Sequence, residues 1–190
     1  FEMPVVAQLK DEIVPISKVT ACKTRLYYVA SIVHALLGRM LFMDFISQML
    51  KDRAHKPLTV SCAVGLTSAD YVMNQYASIY SKGAHVSYAA DQKGWDNHQH
   101  WEFAQYIAEA INEWYNASDP TDDVARTTYL RSCYNSIYIS GSTVYRMPFG
   151  LPSGMCLTSH MNSLYLEMTT LYAIHDILVN HTPTGFKLPP

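Results

Sequence analysis

Apolar residues recur at three- and four-residue steps from Tyr28 to Leu50, where Val29, Ile32, Val33, Leu36, Leu37, Met40, Leu41, Phe45 and Met49 lie. That period predicts one long, mostly buried helix. The polar run DRAHKP closes it. Leu58 to Val64 then reads as a short strand or extended loop, and Ser68 as the N-cap of a helix from Ala69 to Tyr80 that Gly83 ends. His85 to Ala90 is a β-capable stretch that delivers Asp91 at its end, and QKGWDN follows as a turn. From Trp101 the helical period returns, with Ala104, Ile107, Ala108, Ile111, Trp114 and Tyr115 on one face, until the breaker NASDPTDD. Val124 to Cys133 reads as a further helix, and Ser136 to Arg146, containing YISGSTVYR, as a hairpin. The loop FGLPSG leads into a long apolar-striped helix from about Cys156 to Val179. Helices alternating with few short strands indicate an α+β fold, helices packed on a small antiparallel sheet.

Composition narrows the class. With 49% hydrophobic and 16% charged residues among 190, the chain can bury a sizeable core and is not of the disordered type. A formal net charge of −2 gives no overall footprint of a nucleic-acid binder, so any such contact must be a local patch. Cys22, Cys62, Cys133 and Cys156 are scattered, without a C-x-x-C pair or neighbouring histidines. This argues against a zinc site or a disulfide framework and suits a reducing cytoplasm. FEMPVVAQLKDE has no signal-peptide pattern, and His34, Arg39 and Asp44 interrupt the longest apolar run, so no transmembrane segment is expected. The chain opens on Phe1 and stops at PTGFKLPP, so it is expected to be a piece of something longer.

Three constellations carry candidate chemistry. Asp91 and Asp96 stand five residues apart across a strand end and a turn. Acids in turns are commonplace, but an apolar strand leading into Asp91 would hold a hard oxygen ligand rigidly, as an Mg²⁺ site for phosphoryl transfer requires. In GLPSGMCLTSHMNS, Ser153 and Gly154 precede Thr158 and, one helical turn on, Asn162. Thr158 and Asn162 share a helix face, Gly154 permits close approach, and the helix N-terminus offers N–H groups to a phosphate or sugar. Lys10, Lys18, Lys23 and Arg25 lie in an extended basic run that could clamp a triphosphate, or form a solvated surface balanced by Asp11 and Glu12.

Taken in order, K-D-E with K-T-R, D-x-x-x-x-D and P-S-G-x-x-x-T-x-x-x-N resemble motifs F, A and B of picornavirus-like RNA-dependent RNA polymerases over nearly the whole chain. Ala63 to Gly65 and the approach from Tyr145 to Gly150 are similar to that family as well. The resemblance implies a right-hand polymerase: fingers at 1–84, a palm segment at 85–105, a fingers insertion and hairpin at 106–147, and a second palm segment at 148–190. It implies that Asp91, with the carbonyl of Gln92, ligates catalytic Mg²⁺ or Mn²⁺. It implies that Lys18, Lys23 and Arg25 hold the triphosphate, with Lys10 beside them. Asp96 and Asn162 would sense the ribose 2′-hydroxyl, supported by Thr158, while Ser153 and Gly154 form a flexible loop at the template and nascent base pair. The partners implied are template and primer RNA, ribonucleoside triphosphates and other viral replication proteins, at replication complexes in the host cytoplasm.

Two departures stand against the pattern. Val14 and Pro15 occupy a region where family members often carry another basic residue, and no G-D-D follows the last helix before Pro190. A piece without that motif is expected to be inactive alone. A reverse transcriptase shares the strand-borne Asp and a P-x-G loop, but places a bulky aromatic near the sugar where this chain has Asp96. A non-catalytic helical interaction module would account for the many Tyr and Met residues and the near-neutral charge. His98 and His100, two apart, read as surface residues, and Tyr165, Met168 and Tyr172 as core.

Overall fold

The computed structural model describes residues 2–52, 81–83, 92–147 and 149–181. The expected elements between Leu58 and Tyr80 and the strand leading to Asp91, with Asp91 itself, lie outside these. Gly83, expected to end a helix, has φ 87°, the left-handed conformation common just past a helix end.

Alternation along the first strand, β1 (Met3–Leu9), buries Met3 and Val5 while Pro4 and Val6 face outward. β1 pairs antiparallel with β2 (Leu26–Ala30), Val5 opposite Ala30, and parallel with β3 (Ser136–Ser140), Met3 opposite Ser136. β3 turns through Gly141, at φ 58°, into antiparallel β4 (Thr143–Arg146), as the hairpin pattern predicts. The order β2-β1-β3-β4 makes the sheet mixed rather than wholly antiparallel.

A short helix α1 (Ile16–Thr20) interrupts the basic segment, which is therefore not extended throughout. The long helix α2 spans Ile32–Asp52, and Tyr28 to Ala30 belong to β2 instead. The boundary is Ser31, whose Oγ accepts the His34 N–H at 3.2 Å and so satisfies a free donor of the first turn. Only one stripe of α2, His34, Gly38 and Phe42, is buried, while Ile32, Val33, Leu36 and Met40 are exposed; the expectation of a mostly buried helix fails. By length and composition alone α2 could cross a membrane. Its buried stripe packs instead on Tyr129: the rings of His34 and Tyr129 stack at 4.2 Å, and the Tyr129 hydroxyl donates to the His34 carbonyl at 3.1 Å. Burial lowers the His34 pKa, which favours the neutral ring in this contact.

Helix α3 (Trp101–Tyr115) buries Ala104, Ile107, Ala108 and Ile111 as its period requires, and ends on Asn116 in the left-handed region. Helix α4 (Pro120–Tyr134) begins four residues before the expected Val124, because Asp119 caps it by accepting the Thr121 N–H at 2.9 Å and Pro120 suits the first turn. Buried Arg126 fastens α4 to α3: its Nε donates to Asn112 Oδ1 at 2.8 Å, it pairs with Asp123, and it lies 4.2 Å over the Tyr115 ring. The last helix, α5, runs Thr158–Asp176 and passes into a π-helical turn. Tyr165 is buried on it as expected, whereas Tyr172 is exposed. The core, with Val5, Phe42, Ala104, Leu130, Met161 and Tyr165, fills the space between these helices and the sheet.

The Asp119 cap sets a pH dependence. Its bond from the Thr121 backbone holds the carboxyl below its ordinary value. The cap is then fully present above that ordinary value and is lost as the pH falls through the lowered one. Asp119→Asn, which caps without titrating, is expected to remove this part of the acid sensitivity of the melting temperature; an unchanged acid profile would show that the cap contributes nothing.

Candidate functional site

Two loops far apart in sequence meet here. Gly94, at φ 64°, starts a 3₁₀ turn over Trp95–His98 after Gln92 and Lys93, and His98 Nδ1 donates to the Gly94 carbonyl at 2.8 Å, closing the turn. The backbone then clasps the second loop. The Asp96 carbonyl accepts the Leu151 N–H and the Gln99 carbonyl accepts the Gly150 N–H, both at 2.7 Å. Gly150, at φ 107°, allows this approach, since a Cβ there would stand 3.2 Å from the Asp96 carbonyl oxygen.

Beyond this clasp the loop is braced from within. Thr158 Oγ1 donates to the Pro152 carbonyl at 2.9 Å and accepts the Met155 N–H at 3.1 Å. Buried and so engaged, Thr158 holds the loop's shape. The Ser153 carbonyl accepts the Tyr28 N–H at 2.7 Å, tying the loop to β2. Gly154, at φ 106°, sits so close that a Cβ would meet the Tyr28 carbonyl oxygen at 2.7 Å. The loop is thus bonded to the Asp96 turn at one end and to β2 at the other.

Asn162 lies one turn into α5 after Thr158, and its Nδ2 donates to Asp96 Oδ1 at 2.7 Å. The two residues, 66 apart in sequence, are half-buried. Two further residues, which spacing did not single out, complete a chain of hydrogen bonds. Gln99 Nε2 donates to Asn162 Oδ1 at 2.5 Å, and the Tyr134 hydroxyl donates to Gln99 Oε1 at 3.1 Å. Their only sequence signal is negative: a Gln and a Tyr at positions with no other evident use. Among the described residues no further hydrogen bond is made by the second Asp96 oxygen or the second Asn162 N–H, an acceptor and a donor at the outer end of the chain. Such a pair matches a hydroxyl group, which donates to the one and accepts from the other.

The basic residues arrive on the segment that leads into β2. Lys18 lies on α1 and Lys23 after it, both exposed, with the Lys23 N–H bonded to the Lys18 carbonyl at 2.9 Å. Arg25 and Lys10 each stand near Glu12, at 3.8 and 3.5 Å, so the balancing of charge by Glu12 is realised for these two. The Tyr28–Ser153 bond links their strand to the glycine loop. His98 and His100 are exposed, in keeping with surface roles.

Among the described residues no three His, Cys, Asp or Glu side chains gather as a metal site. Mg²⁺, however, is commonly held by one or two carboxylates with water and substrate phosphates filling its shell. Gln92 is exposed at the start of the turn that carries Asp96, while Asp91 lies outside the described residues.

The family model described as viral RNA-dependent RNA polymerase matches residues 2–188. The chain is 30% identical over 169 residues to the RNA1 polyprotein of Grapevine fanleaf virus, covering 89% of the chain and 7% of the polyprotein. It is 29% identical over 160 residues to the replicase polyprotein of Acute bee paralysis virus, covering 84% of the chain and 8% of the polyprotein. In three dimensions it is similar to the Sicinivirus 3Dpol RNA dependent RNA polymerase, with TM-score 0.73 and 25% identity, over 98% of this chain and 37% of that one. The chain thus spans a small part of each polyprotein and little more than a third of the solved polymerase.

Proposed function

Because the chain belongs to the viral RNA-dependent RNA polymerase family, we propose that it forms the nucleotide-selecting part of an enzyme that adds ribonucleotides to an RNA 3′ end, on an RNA template, during viral genome replication. The observation that carries this reading is the Asp96–Asn162 hydrogen bond, made by two half-buried side chains that the two loops bring together. The 2′-hydroxyl of an incoming ribonucleotide donates to the free Asp96 oxygen and accepts from the free Asn162 N–H. A deoxyribonucleotide leaves both unmatched, which a site built around the hydroxyl penalises strongly.

Lys18, Lys23 and Arg25 hold the triphosphate from the segment before β2, and Ser153 and Gly154 present the loop backbone to the nascent base pair. Asp91 and the Gln92 carbonyl hold divalent cations, Mg²⁺ or Mn²⁺. When bound, these would activate the 3′-hydroxyl and neutralise the leaving pyrophosphate in a two-metal phosphoryl transfer. On this reading 1–84 and 106–147 are fingers and 85–105 and 148–190 are palm. The shared sheet of β1 with β3 and β4 supports grouping the first two. Template and primer RNA, ribonucleoside triphosphates and other viral replication proteins are its partners, in replication complexes of the host cytoplasm.

In a complete polymerase carrying this segment, Asp96→Ala is expected to reduce the preference for ribo- over deoxyribonucleotides by about one to two orders of magnitude. The ratio of kcat/KM for matched rNTP and dNTP measures it. A ratio that does not move would remove the pair from sugar selection.

A further inference from the structure

The pair just described ends a longer chain of hydrogen bonds. From it we infer that Gln99 and Tyr134 are positioning residues for ribose selection, fixing which face of the Asn162 amide meets the sugar. The inference rests on the assignment of Asp96 and Asn162 to the 2′-hydroxyl and deepens it.

An Asn side chain has two ends of nearly equal shape and opposite hydrogen-bonding sense. Asp96 as a carboxylate only accepts, so it requires the Nδ2 end of Asn162, at 2.7 Å. Asn162 Oδ1 must then find a donor, and Gln99 Nε2 supplies it. Gln99 in turn needs a donor for its Oε1, and the Tyr134 hydroxyl supplies that at 3.1 Å. Every bond in Tyr134, Gln99, Asn162 and Asp96 therefore runs in one direction. The inner members are walled in: Gln99 is 0% and Tyr134 3% exposed. Water does not substitute for a lost partner there, so each broken link leaves a buried polar atom unsatisfied. Burial, reinforced by neighbouring Cys133, Tyr165 and Asp96, pushes the Tyr134 phenol upward and keeps its proton available for donation.

The Gln99 backbone is also held in place. Its carbonyl holds the Gly150 N–H while the Asp96 carbonyl holds Leu151, so the backbone that carries Asp96 and the one that leads to Asn162 are clasped around it. With Gln99 intact, both ends of the Asn162 amide are held in one sense. An acceptor in place of the Gln99 amide N–H would compete with Asp96 for the N–H end of Asn162, and where it wins the amide oxygen is left beside the Asp96 carboxylate, two acceptors that no longer match a hydroxyl.

The test uses a complete polymerase carrying these residues, with kcat/KM measured for matched rNTP and dNTP. Gln99→Glu, which offers Asn162 Oδ1 a second acceptor, is expected to lower the rNTP preference about tenfold or more, and Tyr134→Phe about three- to tenfold. Gln99→Glu could impair folding; Tyr134→Phe, which removes one hydroxyl, keeps the inference testable. A role confined to folding would lower the melting temperature and act on both substrates alike. Positioning predicts that the ratio changes, and that neither substitution changes it further in an Asn162→Ser background. If Asp96→Ala collapses the ratio while Gln99→Glu and Tyr134→Phe leave it intact, the positioning inference fails and the sugar-sensing pair survives. If Asp96→Ala has no effect on the ratio, both fail.

Discussion

Asp91→Asn in a complete polymerase that carries this segment is expected to lower nucleotide incorporation by about a thousandfold or more, with RNA binding retained. The amide keeps an oxygen at the same place but removes the charge that a divalent cation needs from a hard ligand. Electrostatic stabilisation at the reacting phosphate is among the largest contributions a site of this kind makes. Asp91 itself is outside the described residues, but the turn five residues on is fixed, with Asp96 bonded to Asn162 and clasped to Leu151. Single-nucleotide incorporation at saturating rNTP, across a range of Mg²⁺ and Mn²⁺, is the measurement. Activity within tenfold of the parent at every metal concentration would take Asp91 out of the catalytic site.

Gly154→Ala is expected to destabilise the fold by roughly 2–4 kcal/mol, summing backbone strain and overpacking. Two causes coincide at this residue: φ of 106°, and a Cβ that would fall 2.7 Å from the Tyr28 carbonyl oxygen, on backbone that cannot swing aside. The substitution must also lengthen the bond from Tyr28 to Ser153, which joins the glycine loop to the strand following the basic residues. Gly83→Ala is the control, because Gly83 shares a positive φ but its missing Cβ meets nothing within 4 Å among the described residues. Urea midpoints of the two variants separate the causes. Equal losses would mean that contact with Tyr28 adds nothing and that strain alone explains the glycine.

Much of the fold was legible because the relevant signals are local. The buried face of α3 follows from its apolar period, the hairpin from the Ser-Gly pair at its bend, and the turn at Gly94 from its polar, glycine-bearing sequence. The start of α2 is obscured in the sequence for an equally local reason. The strand residues Leu26 to Ala30 are apolar and run straight into the apolar helix, so their periods merge, and Ser31 was the one punctuation mark between them. The parallel pairing of β1 with β3 has no local signal at all, since its partners stand more than a hundred residues apart. In the site, spacing placed Thr158 and Asn162 on one helix face and drew attention to Asp96. It could not show that Thr158 turns back into its own loop, or that Gln99 orients Asn162. Both depend on how two distant loops dock.

That parallel pairing also sets an order of assembly. β1 and β2 are separated only by residues 10–25 and can pair as soon as both exist, whereas the other edge of β1 must wait for Ser136 to Ser140. Closing so long a loop is entropically costly and slow compared with forming local helices and hairpins. During synthesis, the edge of β1 carrying its unpaired backbone groups is therefore open until β3 has emerged, and an unpaired strand edge is a template for the wrong partner. The proline at its second position, Pro4, which offers no N–H to a wrong partner, limits that hazard while the chain is incomplete.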